Sequence, residues 1–140
     1  MSKKRDVIAE FDGGGGRDGG KKVYGVYIID ADTKEQLHVA YGQLPNAQTF
    51  NQAEWTAAKA ALSTCWLFRD DISSIIIQGD SQLVINQLLG KYKCKKPHLI
   101  PYWKSSKDIE EKLLHCGITV DYHWVRREKN EAADALGRLI

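Results

Sequence analysis

The chain has 140 residues, 43% of them hydrophobic, which is one domain's worth of sequence and too short for a second folded domain; a chain this long buries about two-thirds of its unfolded surface. A net charge of +2 and a pI near 8.4 exclude a strongly basic coat, so any footprint for an anionic partner has to be local. No apolar run is long enough to span a membrane, the N-terminal MSKKRDVIAEF lacks the apolar core of a secretion signal, and Cys65, Cys94 and Cys116 are too widely spaced to suggest disulfides, so a cytoplasmic location is expected.

The first predicted strand, about 5 to 12, is RDVIAEFD, in which Val7, Ala9 and Phe11 alternate with Ile8, Glu10 and Asp12. Gly13 to Gly16 follow, with a second pair at Gly19 and Gly20. Glycines of this kind admit a phosphate close to the backbone. The run lacks the Gly-Lys-Ser/Thr of a P-loop and the spacing of a dinucleotide fingerprint, so the preferred local reading is a flexible hairpin connection to KKVYGVYIID. That segment supplies a strand at about 22 to 30, and another is expected at about 36 to 44.

From Asn51 the chain reads NQAEWTAAKAALSTCW, a helix over about 51 to 67. The row at helical spacing through Glu54 holds Ala57, Ala58, Ala61 and Cys65, which turns Glu54 inward. Asn51 and Glu54 also have near capping-box spacing, so a helix-capping role for Glu54 is equally open. SSIIIQGDSQLVINQLL then gives an apolar strand around Ile75 to Ile77, a Gly-Asp turn, and an amphipathic helix of about 81 to 90 carrying Leu83, Val84, Leu88 and Leu89. Asp80 falls at the carboxyl end of a central strand, where open α/β sheets place their ligands; capping the helix that begins at Ser81 is the competing reading.

The basic stretch GKYKCKKPH puts Lys91, Lys93, Lys95 and Lys96 beside Tyr92, with Trp103 further on. Lysines at this density suit a phosphate backbone or a solvated loop. A helix at about 101 to 115 and a strand at about 118 to 125 follow, the latter placing His123 on the face of Thr119 and Asp121. Pairs such as Cys94 with His98, or His115 with Cys116, fit no common zinc spacing and read as buried thiols and surface histidines. The chain closes on REKNEAADALGRLI, a helix of about 130 to 140 with Asn130 as N-cap, Ala133, Leu136 and Ile140 as its buried stripe, and Asp134 one turn in.

Asp12, Glu54, Asp80 and Asp134 are each ordinary alone, but four inward-leaning carboxylates must be protonated or held by cations. Divalent metal is the reading that the four together favour. Hairpin-linked strands followed by alternating helices and strands imply an α/β fold, a mixed sheet with helices on its faces.

The strand-ending FDGG, the TFNQAEWTAAKAAL helix, the IIIQGDSQLVINQL turn and the VRREKNEAADALGRL tail resemble, in order and interval, type 1 ribonuclease H over nearly the whole chain. The resemblance implies a five-stranded sheet of order 3-2-1-4-5 with strand 2 antiparallel. It implies an endoribonuclease that hydrolyses the RNA strand of RNA/DNA hybrids with two Mg²⁺ ions, Mn²⁺ able to substitute, leaving 3′-hydroxyl and 5′-phosphate ends. Asp12 would bridge both ions, Glu54 and Asp80 would complete one side, and Asp134 would hold the ion on the nucleophile's side.

At matching positions Glu54, the backbone of Gly13, Gly14 and Gly15, and Gln82 are expected to contact RNA. Thr49 and Asn51 are expected to contact the DNA strand, with helix capping as their alternative role. The chain departs from many family members in two ways: it lacks an extra helix in the basic segment, and no histidine occupies Val125 to Lys129, which leaves Arg127 to supply charge near the scissile phosphate. No membrane or protein partner is expected, and the chain should be a monomer. A catalytically silent nucleic-acid-binding module, or a related nuclease that accepts double-stranded RNA, is the rival reading.

Overall fold

The computed structural model describes residues 3–15, 21–44 and 49–137, with the backbone alone for residues 134, 136 and 137. Gly16, Gly19, Gly20, Ile140 and the side chains of Asp134 and Leu136 therefore lie outside the described part. Five strands form one sheet in the order β3-β2-β1-β4-β5: β1 is Arg5–Gly15, β2 Lys22–Asp30, β3 Gln36–Gln43, β4 Ile72–Gly79 and β5 Thr119–Trp124. β2 runs antiparallel to β1 and β3, while β1, β4 and β5 are parallel. This is the mixed sheet and the strand order expected.

The alternation in β1 turns Val7, Ala9 and Phe11 into the main core, where they meet Val26 and Ile28 of β2 and Ile75 and Ile77 of β4. Helix α1 (Phe50–Leu67) covers that face with Ala53, Ala57, Ala58 and Ala61, all fully buried, and small side chains let it press close to the sheet. Each large apolar side chain buried here, such as Phe11, Trp55 and Leu62, stabilises by roughly 1.5–3 kcal/mol. Two short-range glycine contacts show how close the packing is. A Cβ on Gly13 would lie 2.2 Å from the Ala53 carbonyl carbon, and one on Gly79 would lie 2.5 Å from the Phe11 ring. Neither position tolerates a side chain.

Helix α2 (Gln82–Leu88) and α3 (Ile100–His115) pack beside β5 and α1, and α4 (Glu131–Gly137) crosses β2 and β1. The buried Gln87 joins three helices: its Oε1 accepts from Trp55 Nε1 at 2.9 Å, and its main-chain oxygen accepts from Trp103 Nε1 at 3.2 Å. Among the described residues no helix lies between Leu88 and Ile100, so Lys91 to Lys96 form a loop.

Several expectations need correction. Gly13, Gly14 and Gly15 are not part of a connecting loop but continue β1, paired with Tyr24, Val23 and Lys22. The second helix stops at Leu88, which leaves Leu89 exposed. Of the thiols only Cys65 is buried, its pKa pushed up to about 12 by that burial, whereas Cys116 is exposed. Asn130 is fully buried, and its Nδ2 donates to the Phe11 carbonyl at 2.7 Å; its Oδ1 has no partner, so it is not capping α4.

Candidate active site

The parallel register pairs Phe11 with Gly79, so the next residues, Asp12 within β1 and Asp80 just past β4, emerge side by side where the pairing of these two strands stops; contrary to the expectation from sequence, Asp12 does not end its strand. Phe11 and Gly79 fix that register sterically, because the ring lies over a backbone with no Cβ. Glu54 reaches the same point from α1. Its Oε1 accepts from the Gly13 N–H at 2.7 Å, a bond made possible by the close approach of Ala53 to Gly13. One carboxylate oxygen from each of Asp12, Glu54 and Asp80 lies within 4.8 Å of the others, and all three residues are half-buried. Asp134 sits on α4, but its side chain is outside the described part.

Helix capping does not account for these acids. The N-cap of α1 is Thr49, whose Oγ1 accepts from Gln52 N at 3.1 Å while Gln52 Oε1 accepts from Thr49 N at 2.9 Å, a complete capping box. Glu54 is thus beyond the cap. The N-cap of α2 is Ser81, whose Oγ accepts from Val84 N at 3.2 Å, which leaves the Asp80 carboxylate outside the cap. Trp124 Nε1 donates to the Asp80 carbonyl at 3.1 Å, steadying the turn from the β5 side.

Burial pushes the Glu54 carboxyl up to about 8, and neighbouring Asp80 adds to the rise; the Gly13 N–H and Arg127 pull the other way. Arg127 Nε lies 3.7 Å from Asp80 Oδ2, and the Arg127 side chain is 79% exposed. Such a pair contributes about 0–1 kcal/mol. Three converging carboxylates form a hard, oxygen-only donor set, which suits Mg²⁺ or Mn²⁺ far better than soft or thiophilic metals.

The remaining expected site residues divide in two. Gly13, Gly14, Gly15, Asn51 and Arg127 line one cleft of about 360 Å³ with Asp12 and Glu54. Thr49 is exposed at the N-cap of α1, Gln82 is exposed at the first position of α2, and Lys91, Lys93, Lys95 and Lys96 are exposed in the loop after it; none of the six is among the lining residues of that cleft. His123 is exposed on β5, as its strand alternation predicted. Phe50, Val23 and Ser81 also line the cleft and were not singled out from the sequence. Phe50 carried one unread signal, a large aromatic directly after a helix cap.

A family model described as Reverse transcriptase-like matches residues 10–139. The Bifunctional protein Rv2228c of Mycobacterium tuberculosis is 28% identical over 130 residues, 93% of this chain and 34% of that protein, so the chain spans about a third of the curated relatives it first matches. The solved N-terminal RNase H domain of that protein, fused to maltose binding protein, superimposes with a TM-score of 0.80 at 27% identity, over 96% of this chain and 91% of that one. RNase H1 from the halophilic archaeon Halobacterium salinarum gives a TM-score of 0.78 at 30% identity, covering 94% and 93% of the two chains. LC11-RNase H1, isolated from compost and solved in complex with an RNA/DNA hybrid, gives 0.80 at 28% identity, covering 93% and 92%. By sequence over most of its length and by the order and direction of its strands, the chain belongs to the Reverse transcriptase-like family and, within it, to the type 1 ribonucleases H.

Proposed function

We propose that this chain is a divalent-metal-dependent endoribonuclease that hydrolyses the RNA strand of RNA/DNA hybrids, leaving 3′-hydroxyl and 5′-phosphate ends. The observation that carries the reading is the convergence of Asp12, Glu54 and Asp80 within 4.8 Å where the pairing of two central strands stops, in a chain of ribonuclease H kinship. Asp12, Glu54 and Asp80 would hold the divalent ions, with Asp134 of α4 as the fourth carboxylate. When bound, the two ions activate a water for in-line attack and stabilise the leaving oxygen.

The chain's own groups do the positioning. Glu54 and the backbone of Gly13 to Gly15 present hydrogen-bonding groups to the 2′-hydroxyl, the local mark of the strand to be cut, with Gln82 on the adjoining turn. Thr49 Oγ1 is occupied as an acceptor in the capping box, so its contact with the DNA strand is made by donating its own hydroxyl proton to a phosphate, beside Asn51. Arg127, exposed at the rim of the cleft, supplies positive charge near the scissile phosphate.

One assay tests the reading: labelled RNA/DNA hybrid, duplex RNA, duplex DNA and single strands, each with Mg²⁺, Mn²⁺, Ca²⁺ or excess chelator. The expected result is cleavage of the hybrid's RNA strand with Mg²⁺ or Mn²⁺ and little with Ca²⁺, whose larger, looser coordination misplaces the attacking water. Full activity in chelator, or no cleavage of any substrate with Mg²⁺, overturns it.

The lysine loop makes a separate contribution. Replacing Lys91, Lys93, Lys95 and Lys96 with Ala should weaken hybrid binding and reduce the salt slope by about 1 for each lysine that meets a phosphate, with turnover at saturating substrate largely kept. Binding isotherms between low and high salt check this. An unchanged slope would make the loop a solvated connection.

A further inference from the structure

Phe50 is a large aromatic that the fold leaves 62% exposed at the first position of α1, on the same cleft as Asp12 and Glu54. Its place is well defined. The Thr49–Gln52 capping box sets the turn, the ring edge comes 3.8 Å from where a Cβ on Gly15 would sit, and Lys22 Nζ lies 4.6 Å from the ring centroid. Lys22 is the partner of Gly15 in the β1–β2 register, so the end of this hairpin and the first turn of α1 build one rim of the cleft. Phe50 precedes Glu54 by four residues and so stands on the same helix face one turn away, about 5–6 Å between Cβ atoms. A Cβ on Gly14 would meet nothing within 4 Å, which leaves the floor between rim and carboxylates open.

The chemistry of this rim differs from that of the floor. The Phe50 ring has no donor or acceptor, so it can cover the C–H face of a sugar but leaves any hydroxyl pressed against it without a partner. The groups that can pair with a 2′-hydroxyl, Glu54 and the backbone of Gly13 to Gly15, lie on the carboxylate side. Lys22 makes a cation–π contact with the ring, whose place is set by the capping box, and offers a charge to an adjoining phosphate. We propose that Phe50 is a specificity-determining residue that rests against a 2′-deoxyribose of the uncut strand, with Lys22 on a neighbouring phosphate, so that duplex RNA is disfavoured. This rests on the hybrid-nuclease reading above.

The experiment measures dissociation constants for a fluorescein-labelled RNA/DNA hybrid and for duplex RNA of the same sequence, by anisotropy with Ca²⁺ replacing Mg²⁺. The wild-type protein should prefer the hybrid. Phe50→Ala, which lets water reach the hydroxyl, and Phe50→Asn, which can pair with it, should each lower that preference on the order of tenfold, the scale of one hydroxyl left unsatisfied. Lys22→Met should weaken both duplexes alike and keep the ratio. A residue at an exposed helix start with a merely structural role would move the melting temperature and not the ratio. If the wild type binds the hybrid and the Phe50 variants keep the same preference, or if the wild type shows no preference, this inference is overturned while the nuclease reading stands. If the wild type binds no hybrid, both are overturned.

Discussion

Asp12→Asn and Asp80→Asn should each reduce hybrid cleavage by about a thousandfold or more while leaving the metal-free protein at least as stable as the wild type. Both acids stand where the pairing of two adjacent parallel strands stops, and with Glu54 they place oxygens within 4.8 Å of one another. Two unit charges at that separation repel by about 3 kcal/mol at an effective dielectric constant near 20. At Asp80 the exposed Arg127 offsets little of this. An amide keeps the shape and removes the charge, so melting in chelator should stay level or rise by a few degrees. The same change removes a hard anionic ligand from a site whose proposed chemistry depends on two cations. Gel assays of the labelled hybrid, beside melting curves with and without Mg²⁺, separate the two effects. Near-wild-type cleavage by either variant would sink the two-metal assignment.

How far the sequence could lead is clearest at the two helix starts. Thr49 to Gln52 and Asn51 to Glu54 have the same three-residue spacing, and local chemistry allows a cap at either. The structure uses the first, and Glu54 then falls one turn inside α1, facing Gly13. At Asp80 the neighbouring Ser81 takes the cap. The choice in each case is made by packing against the sheet, which no window of a dozen residues contains. The glycines were misread for the same reason: composition favours a loop, but β2 supplies partners for Gly13, Gly14 and Gly15, and tertiary pairing overrides local propensity.

The strands and helices themselves were legible because hydrophobic periodicity is strong in Val7 to Phe11, in Ile75 to Ile77 and along the alanine row of α1. The register that sets Asp12 beside Asp80 was not. It depends on Phe11 fitting over Gly79, a long-range steric match between two short apolar strands. Asn130 shows the opposite error. Its type and position suit a helix cap, yet its amide spans to the carbonyl of Phe11, one residue before Asp12, and so ties the start of α4 to the strand that carries the site.

Without metal, stability should fall as pH rises from about 4.5 to about 8, and Glu54 should be the cause. In the unfolded chain this carboxyl titrates near 4.5; in the fold, burial and the neighbouring Asp80 push it up to about 8. Between those values the folded state holds a proton that the unfolded state has released, so the group's contribution is fully present below 4.5 and is lost as pH rises through the folded pKa. The loss is on the order of a few kcal/mol, large against a typical net stability of about 5–15 kcal/mol. Mg²⁺ binds the ionised carboxylate, so its stabilising effect should grow over the same window and offset the loss. Glu54→Gln keeps an acceptor for the Gly13 N–H but has no proton to release, and it should flatten both trends. Melting curves of wild type and Glu54→Gln from pH 5 to pH 9, with Mg²⁺ and with chelator, test this directly, because subtracting the variant removes the titration of every group not coupled to Glu54. Parallel curves for the two proteins in chelator would mean that Glu54 is already ionised in the folded state, and the strong local coupling between its burial and metal affinity would then have to be abandoned.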